Sequence, residues 1–171
     1  MKLVVMGVSG CGKSSLGAAL AEQLGMPFFE GDALHPAANV EKMRSGIPLT
    51  DDDRWPWLTS VAQSLGERES AIVSCSALKR SYRDRLSAAS HVPLRFILLE
   101  TRQEELTRRL VATAGHYMPA SLLESQLAIL EPPGADECAL TLEATTAPDA
   151  LCNLALAWLR TNSTADGERA G

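Results

Sequence analysis

The chain has 171 residues, of which 46% are hydrophobic, and a formal net charge of -5 at pH 7. This length fits one domain with a sizeable core that needs neither disulfides nor a structural metal. The acidic balance excludes a global basic field of the kind that draws a protein to nucleic acid or to an anionic membrane. We therefore expect no nucleic-acid and no membrane partner, and any anionic ligand needs a local cluster of positive groups.

The start of the chain and its cysteines indicate a cellular compartment. Residues 3–6 are apolar and are followed at once by glycine, which predicts a buried strand rather than a signal peptide. No apolar run approaches the ~20 residues that cross a bilayer. The cysteines are scattered without C-x-x-C spacing, at Cys11, Cys75, Cys138 and Cys152. We expect free thiols and a cytoplasmic location.

Short apolar runs alternate with amphipathic stretches along the chain, a pattern typical of a parallel sheet covered by helices on both faces. The predicted strands are 3–6, 27–29, 71–75, 94–99 and 139–142. Three helical stripes lie between or after them: Leu16, Leu20 and Leu24; Leu78, Tyr82 and Leu86; and Leu151, Leu154, Ala155, Trp158 and Leu159.

Residues that favour helix ends predict where individual helices begin and end. Gly25 before Pro27 predicts the end of the first helix, and Thr101 with Glu104 predicts a capping box. Residues 113–135 are irregular and contain a short helical patch and a Pro-Pro-Gly breaker, so we expect a small helical lid there. Residues 161–171 are polar and small and predict a disordered tail, which leaves 1–160 as a single domain.

Residues 7–14 read GVSGCGKS, which fits GxxxxGK[ST] between a predicted strand and a predicted helix. Glycines let backbone N–H groups approach phosphate oxygens at the positive end of the helix. Lys13 would reach the β and γ phosphates of ATP, and the Ser14 hydroxyl would ligate Mg²⁺. This P-loop predicts nucleotide binding by Gly7, Val8, Ser9, Gly10, Cys11, Gly12, Lys13, Ser14 and Ser15.

Features outside the P-loop favour a kinase over a nucleotide switch. The chain has no NKxD sequence, and strand 71–75 leads into SCSALK rather than an acidic residue, which weakens the GTPase and motor-ATPase interpretations. Asp32 follows the second predicted strand at the sheet edge where open α/β folds bind ligands, so it either meets an acceptor hydroxyl or caps a short helix. We expect a three-layer α/β P-loop kinase fold, with a five-stranded parallel sheet, helices on both faces and a small helical lid.

Several cations are candidates for the acceptor pocket. Lys79 and Arg83 are four residues apart on a predicted helix and either form an anion site together or belong to an exposed basic face. His35 and Arg54 could complete the pocket, with a structural histidine and an arginine paired to its aspartate neighbours as the alternatives. The aspartates at 51–53 are expected to complement a helix N-terminus rather than to bind a metal.

Four segments occur in an order that closely resembles the gluconokinase family: GVSGCGKSS, GDALHPAANVEKMRSGIPLTDDDRWPWL, CSALKRSYRDRL and GHYMPASLLESQLAILEPP. They extend to about Glu137, and the long second segment looks like the signature that separates this family from shikimate kinases. The resemblance implies an ATP- and Mg²⁺-dependent kinase of carbohydrate metabolism that phosphorylates the terminal hydroxyl of D-gluconate to 6-phosphogluconate. It also implies a cytoplasmic homodimer.

The resemblance also assigns residue roles. It implies that Lys13 and Arg109 act in catalysis and that Asp32 orients or deprotonates the hydroxyl. The implied acceptor-binding residues are Asp32, His35, Arg54, Lys79, Arg83 and His116. Many members carry two arginines in an RLxxRxGHFM segment, whereas this chain reads RLVATAGHYM with Thr113 at the second position, so Arg109 or Arg108 serves as the lid cation. A kinase for another small acid such as shikimate and a non-catalytic nucleotide-binding module are the alternatives.

Overall fold

The computed structural model of the chain describes residues 1–112 and 119–168. The chain begins with β1 (Lys2–Met6), α1 (Lys13–Leu24), β2 (Phe28–Glu30) and a short 3₁₀ turn (Gly31–Leu34). It continues through α2 (Ala37–Arg44), α3 (Asp51–Gly66), β3 (Ala71–Ser74), α4 (Arg80–Ser90) and β4 (Arg95–Glu100). The remaining elements are α5 (Gln103–Ala112), α6 (Ala120–Ile129), β5 (Ala139–Glu143) and α7 (Pro148–Glu168).

The five strands form one parallel sheet in the order β2-β3-β1-β4-β5. The predicted strands are confirmed, with ends that differ by at most one residue. The strands that follow β1 in the chain lie on both sides of it, which places a crevice at its carboxyl end. The P-loop directly follows β1 and lies in this crevice.

Both faces of the sheet are covered because side chains alternate along each strand. On β1, Leu3 and Val5 face a core that includes residues of α1 and α7, whereas Val4 and Met6 face a core built with α3 and α4. All four of these side chains have no exposed surface. The predicted three-layer α/β P-loop kinase fold is confirmed.

The first predicted helix boundary is also confirmed. Gly25 ends α1 in the left-handed conformation with φ 62°, and its N–H donates to the carbonyl of Ala21. The predicted box at Thr101 is not formed, because α5 begins at Gln103 and the buried Thr101 hydroxyl has no partner within the described part of the chain. Leu154, predicted to lie in the buried stripe of α7, is 51% exposed.

The C-terminal region differs from the predicted tail. Helix α7 continues to Glu168, well beyond the predicted boundary at residue 160. The Asn162 side chain donates to the Trp158 carbonyl one turn earlier, and Arg95 donates to the Asn162 carbonyl at 3.1 Å, so tertiary contacts reach past the apolar stripe.

Of the predicted lid at 113–135, residues 113–118 lie outside the described residues, and α6 forms the middle of the remainder. Within the described ranges, none of the helices combines the length and apolarity needed to span a bilayer.

Candidate active site

The P-loop connects β1 to α1 as a tight turn that leaves the backbone N–H groups at the start of α1 without a side-chain cap. Gly7, Gly10 and Gly12 have φ angles of 140°, 80° and 103°, which L side chains rarely adopt. Gly12 is the N-cap of α1 and no side chain caps it, so the first-turn N–H groups remain for an anion. Lys13 lies in this first turn, and its Nζ donates to the Val8 carbonyl at 3.0 Å.

Close packing against β4 fixes the start of the loop. A Cβ on Gly7 would lie 2.7 Å from the Leu99 carbonyl oxygen and 2.8 Å from the Cys11 Sγ, so no larger residue fits. Burial raises the pKa of the Cys11 thiol, with Lys13 opposing the shift, and burial raises that of Cys75 to about 12. Both thiols are therefore protonated and unreactive in the neutral range.

Asp32 lies on the 3₁₀ turn that follows β2, close to the carboxyl end of the sheet. The turn is pressed onto β3, since a Cβ on Gly31 would lie 2.5 Å from the Ser74 carbonyl oxygen. The Trp57 indole N–H also holds it by donating to the Gly31 carbonyl at 2.8 Å. The Asp32 side chain is 68% exposed, so its carboxylate is presented to the crevice on a fixed backbone.

His35 is a buried partner of Asp32. Its ring stacks on Trp57 with centroids 4.0 Å apart, and its Nε2 lies 3.8 Å from the Asp32 Oδ1. The Asn39 amide nitrogen lies 3.2 Å from the Nδ1 and can only donate, so Nδ1 accepts and the neutral ring carries its proton on Nε2. Burial lowers the pKa of His35 despite the opposing Asp32 charge, which favours this neutral form. His35 therefore presents an N–H to the Asp32 side of the pocket.

Arg54 supplies a buried positive charge from α3. The residue is 8% exposed, and its Nη1 donates to the Leu49 carbonyl and, at 3.3 Å, to the Tyr82 hydroxyl. Its guanidinium carbon lies 5.5 Å from the centre of the Tyr82 ring. These contacts use one edge of the guanidinium, at Nη1, and fix its orientation. Arg54 does not pair with the neighbouring aspartates, contrary to the alternative interpretation.

One pocket brings these groups together with the P-loop. It encloses about 60 Å³ and is lined by Ser9 and Lys13 of the P-loop together with Asp32, His35 and Arg54. Leu122, Ser125 and Gln126 of α6 form a further wall. Four of the predicted site residues, Lys13, Asp32, His35 and Arg54, therefore line one pocket.

The structure does not place Lys79 in this pocket. Lys79 is the N-cap residue of α4, and its Nζ pairs with both Asp51 oxygens, at 3.0 and 3.1 Å. The Tyr82 hydroxyl donates to the same carboxylate. These bonds lower the pKa of Asp51, the Tyr82 hydroxyl contributing most and Lys79 next, and the pair with Asp51 raises that of Lys79. Lys79 thus joins α4 to α3.

Arg83 is also engaged elsewhere, so the predicted anion site at Lys79 and Arg83 is not formed. Its side chain is 1% exposed and forms a two-pronged pair with Glu137, at 2.6 and 3.0 Å. The same guanidinium donates to the carbonyls of Ala77, Leu78 and Glu131. Arg83 therefore fixes the segment that follows α6 onto α4.

Arg109 reaches the P-loop from α5. It donates to the Cys11 carbonyl at 3.3 Å and to the Ala144 carbonyl at 2.7 Å, and it pairs with Glu105 at 2.8 Å. It does not line the acceptor pocket. His116 and Thr113 lie outside the described residues.

Two further predicted nucleotide-site residues, Ser14 and Ser15, lie at the start of α1. Ser14 and Ser15 are exposed on the first turn of α1, where the Ser14 hydroxyl offers a hard oxygen ligand for Mg²⁺. Among the described residues there is no cluster of three or more His, Cys, Asp or Glu side chains that could hold a metal alone.

The residues of the site that sequence reasoning missed include Asn39, Trp57, Ser76 and Gln126. Asn39 is 3% exposed and bridges His35 and the Asp53 carbonyl, so it acts through folded contacts that spacing does not reveal. Ser76 precedes Ala77, whose φ of 41° is unusual for a residue with a side chain and marks a strained turn. The sequence signal that could have revealed Ser76 is the SCSALK segment, which follows a buried strand and therefore lies at the ligand-binding edge of the sheet.

The fold and this site define a P-loop kinase of the α/β type. The profile of a family described as an AAA domain matches residues 3–133. A gluconokinase of Gluconobacter oxydans is 52% identical over 151 residues, which are 86% of this chain and 84% of that protein. The thermosensitive gluconokinase of Escherichia coli is 45% identical over 139 residues, or 78% of this chain and 73% of that one. The chain belongs to the gluconokinase family.

Solved structures agree with this assignment. The crystal structure of a gluconokinase from Sinorhizobium meliloti has 46% identity and a TM-score of 0.92, with 99% of this chain and 97% of that chain covered. A shikimate kinase from Aquifex aeolicus shares 16% identity with a TM-score of 0.59, and 96% of this chain and 99% of that chain are covered. The second similarity supports the fold alone.

Proposed function

We propose that this chain transfers the γ-phosphoryl group of ATP to the terminal hydroxyl of D-gluconate and releases 6-phosphogluconate and ADP. The observation that carries the proposal is the pocket that Lys13 of the P-loop lines together with Asp32, His35 and Arg54. The names of the 45–52% identical relatives supply the substrate.

Asp32 acts on the acceptor hydroxyl. Its exposed carboxylate accepts the hydroxyl proton while the acceptor oxygen forms a bond to the γ-phosphorus. The bond from that phosphorus to the β–γ bridging oxygen breaks, and its electron pair leaves with ADP. The His35 Nε2–H lies beside Asp32 and stabilises the carboxylate in the orientation that accepts the proton.

Arg54 binds the acid group of the acceptor. Because one edge of its guanidinium is committed to Leu49 and Tyr82, the other N–H groups remain for a carboxylate. This arrangement replaces the anion site that the sequence predicted at Lys79 and Arg83.

The P-loop holds the triphosphate. Lys13 and the uncapped N–H groups at the start of α1 bind phosphate oxygens and balance the charge of the transfer. Ser14 is the residue that would ligate Mg²⁺, which takes most of its ligands from phosphate and water. When bound, Mg²⁺ supplies neutralisation of the β and γ phosphate charge. Arg109 supports the same loop through the Cys11 carbonyl.

We further propose a cytoplasmic homodimer. Free thiols at all four cysteines fit a reducing compartment. The dimer rests on the family resemblance, and light scattering of the purified chain tests it. A monomer mass across the working concentration range would contradict it.

Product identification tests the proposed reaction. The chain is incubated with Mg-ATP and D-gluconate, and ³¹P NMR and mass spectrometry identify the product. We expect a phosphomonoester at the terminal oxygen and no product from Lys13→Ala. A phosphate on another hydroxyl, or ADP without any phosphorylated acid, would overturn the proposal.

A further inference from the structure

Gln126 on α6 connects this helix to the P-loop through one loop residue. Its Oε1 accepts the backbone N–H of Ser9 at 2.8 Å, and its Nε2 donates to the Ser9 hydroxyl at 3.2 Å. Both polar ends of the amide are therefore used on a residue 117 positions away in the chain. Such a two-point contact fixes the distance and rotation of the helix relative to the loop.

The loop does not need Gln126 for its own shape. Its backbone is held by the Gly7 N–H on the Ser76 carbonyl and by the Cys11 N–H on the Val8 carbonyl. Ser9, with Lys13, is where the loop borders the acceptor pocket, and Gln126 lines the same pocket. The contact therefore joins α6 to the loop at the boundary between phosphate and acceptor.

The volume of the pocket indicates a role for the contact between Gln126 and Ser9. Its volume of about 60 Å³ is far below the ~300–1,000 Å³ of ordinary small-molecule sites. Leu122 and Leu123, 4% and 2% exposed, anchor α6 in the interior. The small volume favours a site that admits an acceptor when the Gln126 end of α6 moves away from Ser9 and excludes water when the contact forms again.

We propose that Gln126 is a positioning residue that docks α6 on Ser9 and thereby closes the phosphate side of the pocket over the bound acceptor. This inference rests on the proposed function for its substrate. Gln126 acts on the acceptor and on water exclusion, whereas the P-loop binds the nucleotide without it.

Kinetics of Gln126→Ala test the proposal, with Glu124→Ala as the control because Glu124 is exposed on the same helix. We expect the KM for gluconate to rise roughly tenfold, since two hydrogen bonds are lost, while the KM for ATP stays within about twofold. The fraction of ATP hydrolysed without phosphorylated product should rise. Ser9→Ala, which keeps the N–H bond, should show a smaller effect.

Unchanged kinetics in Gln126→Ala would overturn the proposal, as would equal rises in both KM values with a lowered Tm, which indicate a structural role. Hydrogen exchange of the nucleotide-free protein gives a readout without turnover: the Ser9 amide should lose protection in Gln126→Ala and keep it in Glu124→Ala. Unchanged protection would also overturn it. If the wild-type chain does not phosphorylate gluconate, the proposed function fails, and hydrogen exchange still decides the Gln126 contact.

Discussion

Asp32 and its neighbours show how burial sets the chemistry of single residues. The carboxylate is exposed on a rigid turn, whereas His35 beside it is buried, stacked and held in one tautomer. In the proposed mechanism the exposed Asp32 carboxylate meets the acceptor hydroxyl, and the buried His35 orients that carboxylate.

We expect Asp32→Asn to lower kcat by about 100-fold, because the amide cannot accept the hydroxyl proton. The Kd for ATP should stay the same, since the nucleotide is held by the P-loop. Asp52→Asn is the matched control, as it removes an exposed carboxylate from the first turn of α3. Steady-state kinetics and ATP titration measure both quantities. Near-normal kcat in Asp32→Asn would remove Asp32 from the mechanism.

Arg54→Lys keeps the charge but loses the planar fork that holds Tyr82 and a substrate carboxylate together. The KM for gluconate should rise about tenfold, while the KM for ATP is unaffected. Arg44→Lys, at an exposed position of α2, is the comparison. A variant whose gluconate KM equals that of wild type would show that Arg54 does not bind the acceptor.

At the scale of elements, Arg83 joins α4 to the segment that follows α6. Its guanidinium and the Glu137 carboxylate are 1% and 8% exposed, so the pair is shielded from water. Arg80 and Asp136 form a second pair between the same two regions, but both side chains are largely solvated. The two pairs therefore differ in burial, and Arg83 also donates to backbone carbonyls whereas Arg80 has Asp84 as a second partner.

Glu137→Gln should lower the free energy of unfolding by about 3 kcal/mol, because it leaves the buried Arg83 charge without its partner. Asp136→Asn, in the exposed pair, should barely change it. Urea unfolding followed by the intrinsic tryptophan fluorescence measures the difference. Equal effects of the two substitutions would contradict the role of burial.

The same pair predicts a pH dependence. The hydrogen bond from Arg83 holds the pKa of Glu137 below its usual value of 4.5. A carboxylate with a lowered pKa in the folded state stabilises above its unfolded pKa and loses that contribution as the pH falls through the folded value. Wild type should therefore lose stability below about pH 4.5 more steeply than Glu137→Gln. Parallel Tm curves for the two proteins would refute this.

For the whole molecule, the sequence correctly predicted the features that depend on local residue patterns, namely the strands and the P-loop turn. The buried runs around β1, β3 and β4 had to be strands, and the glycines of the P-loop had to form the turn after β1. The Lys79 and Arg83 site failed because four-residue spacing shows that two side chains share a helix face but not what they meet. Their partners, Asp51 and Glu137, lie 28 and 54 residues away. Gln126 escaped notice for the same reason.

At the scale of the whole molecule, the central claim is the choice of D-gluconate as the acceptor. The measurement that tests it most directly is ADP release by the wild-type chain at saturating Mg-ATP, with D-gluconate compared with its epimers and with shikimate. We predict the highest kcat/KM for D-gluconate and little ADP release without an acceptor. ADP release that no sugar acid stimulates, or that shikimate stimulates more strongly than gluconate, would contradict this conclusion.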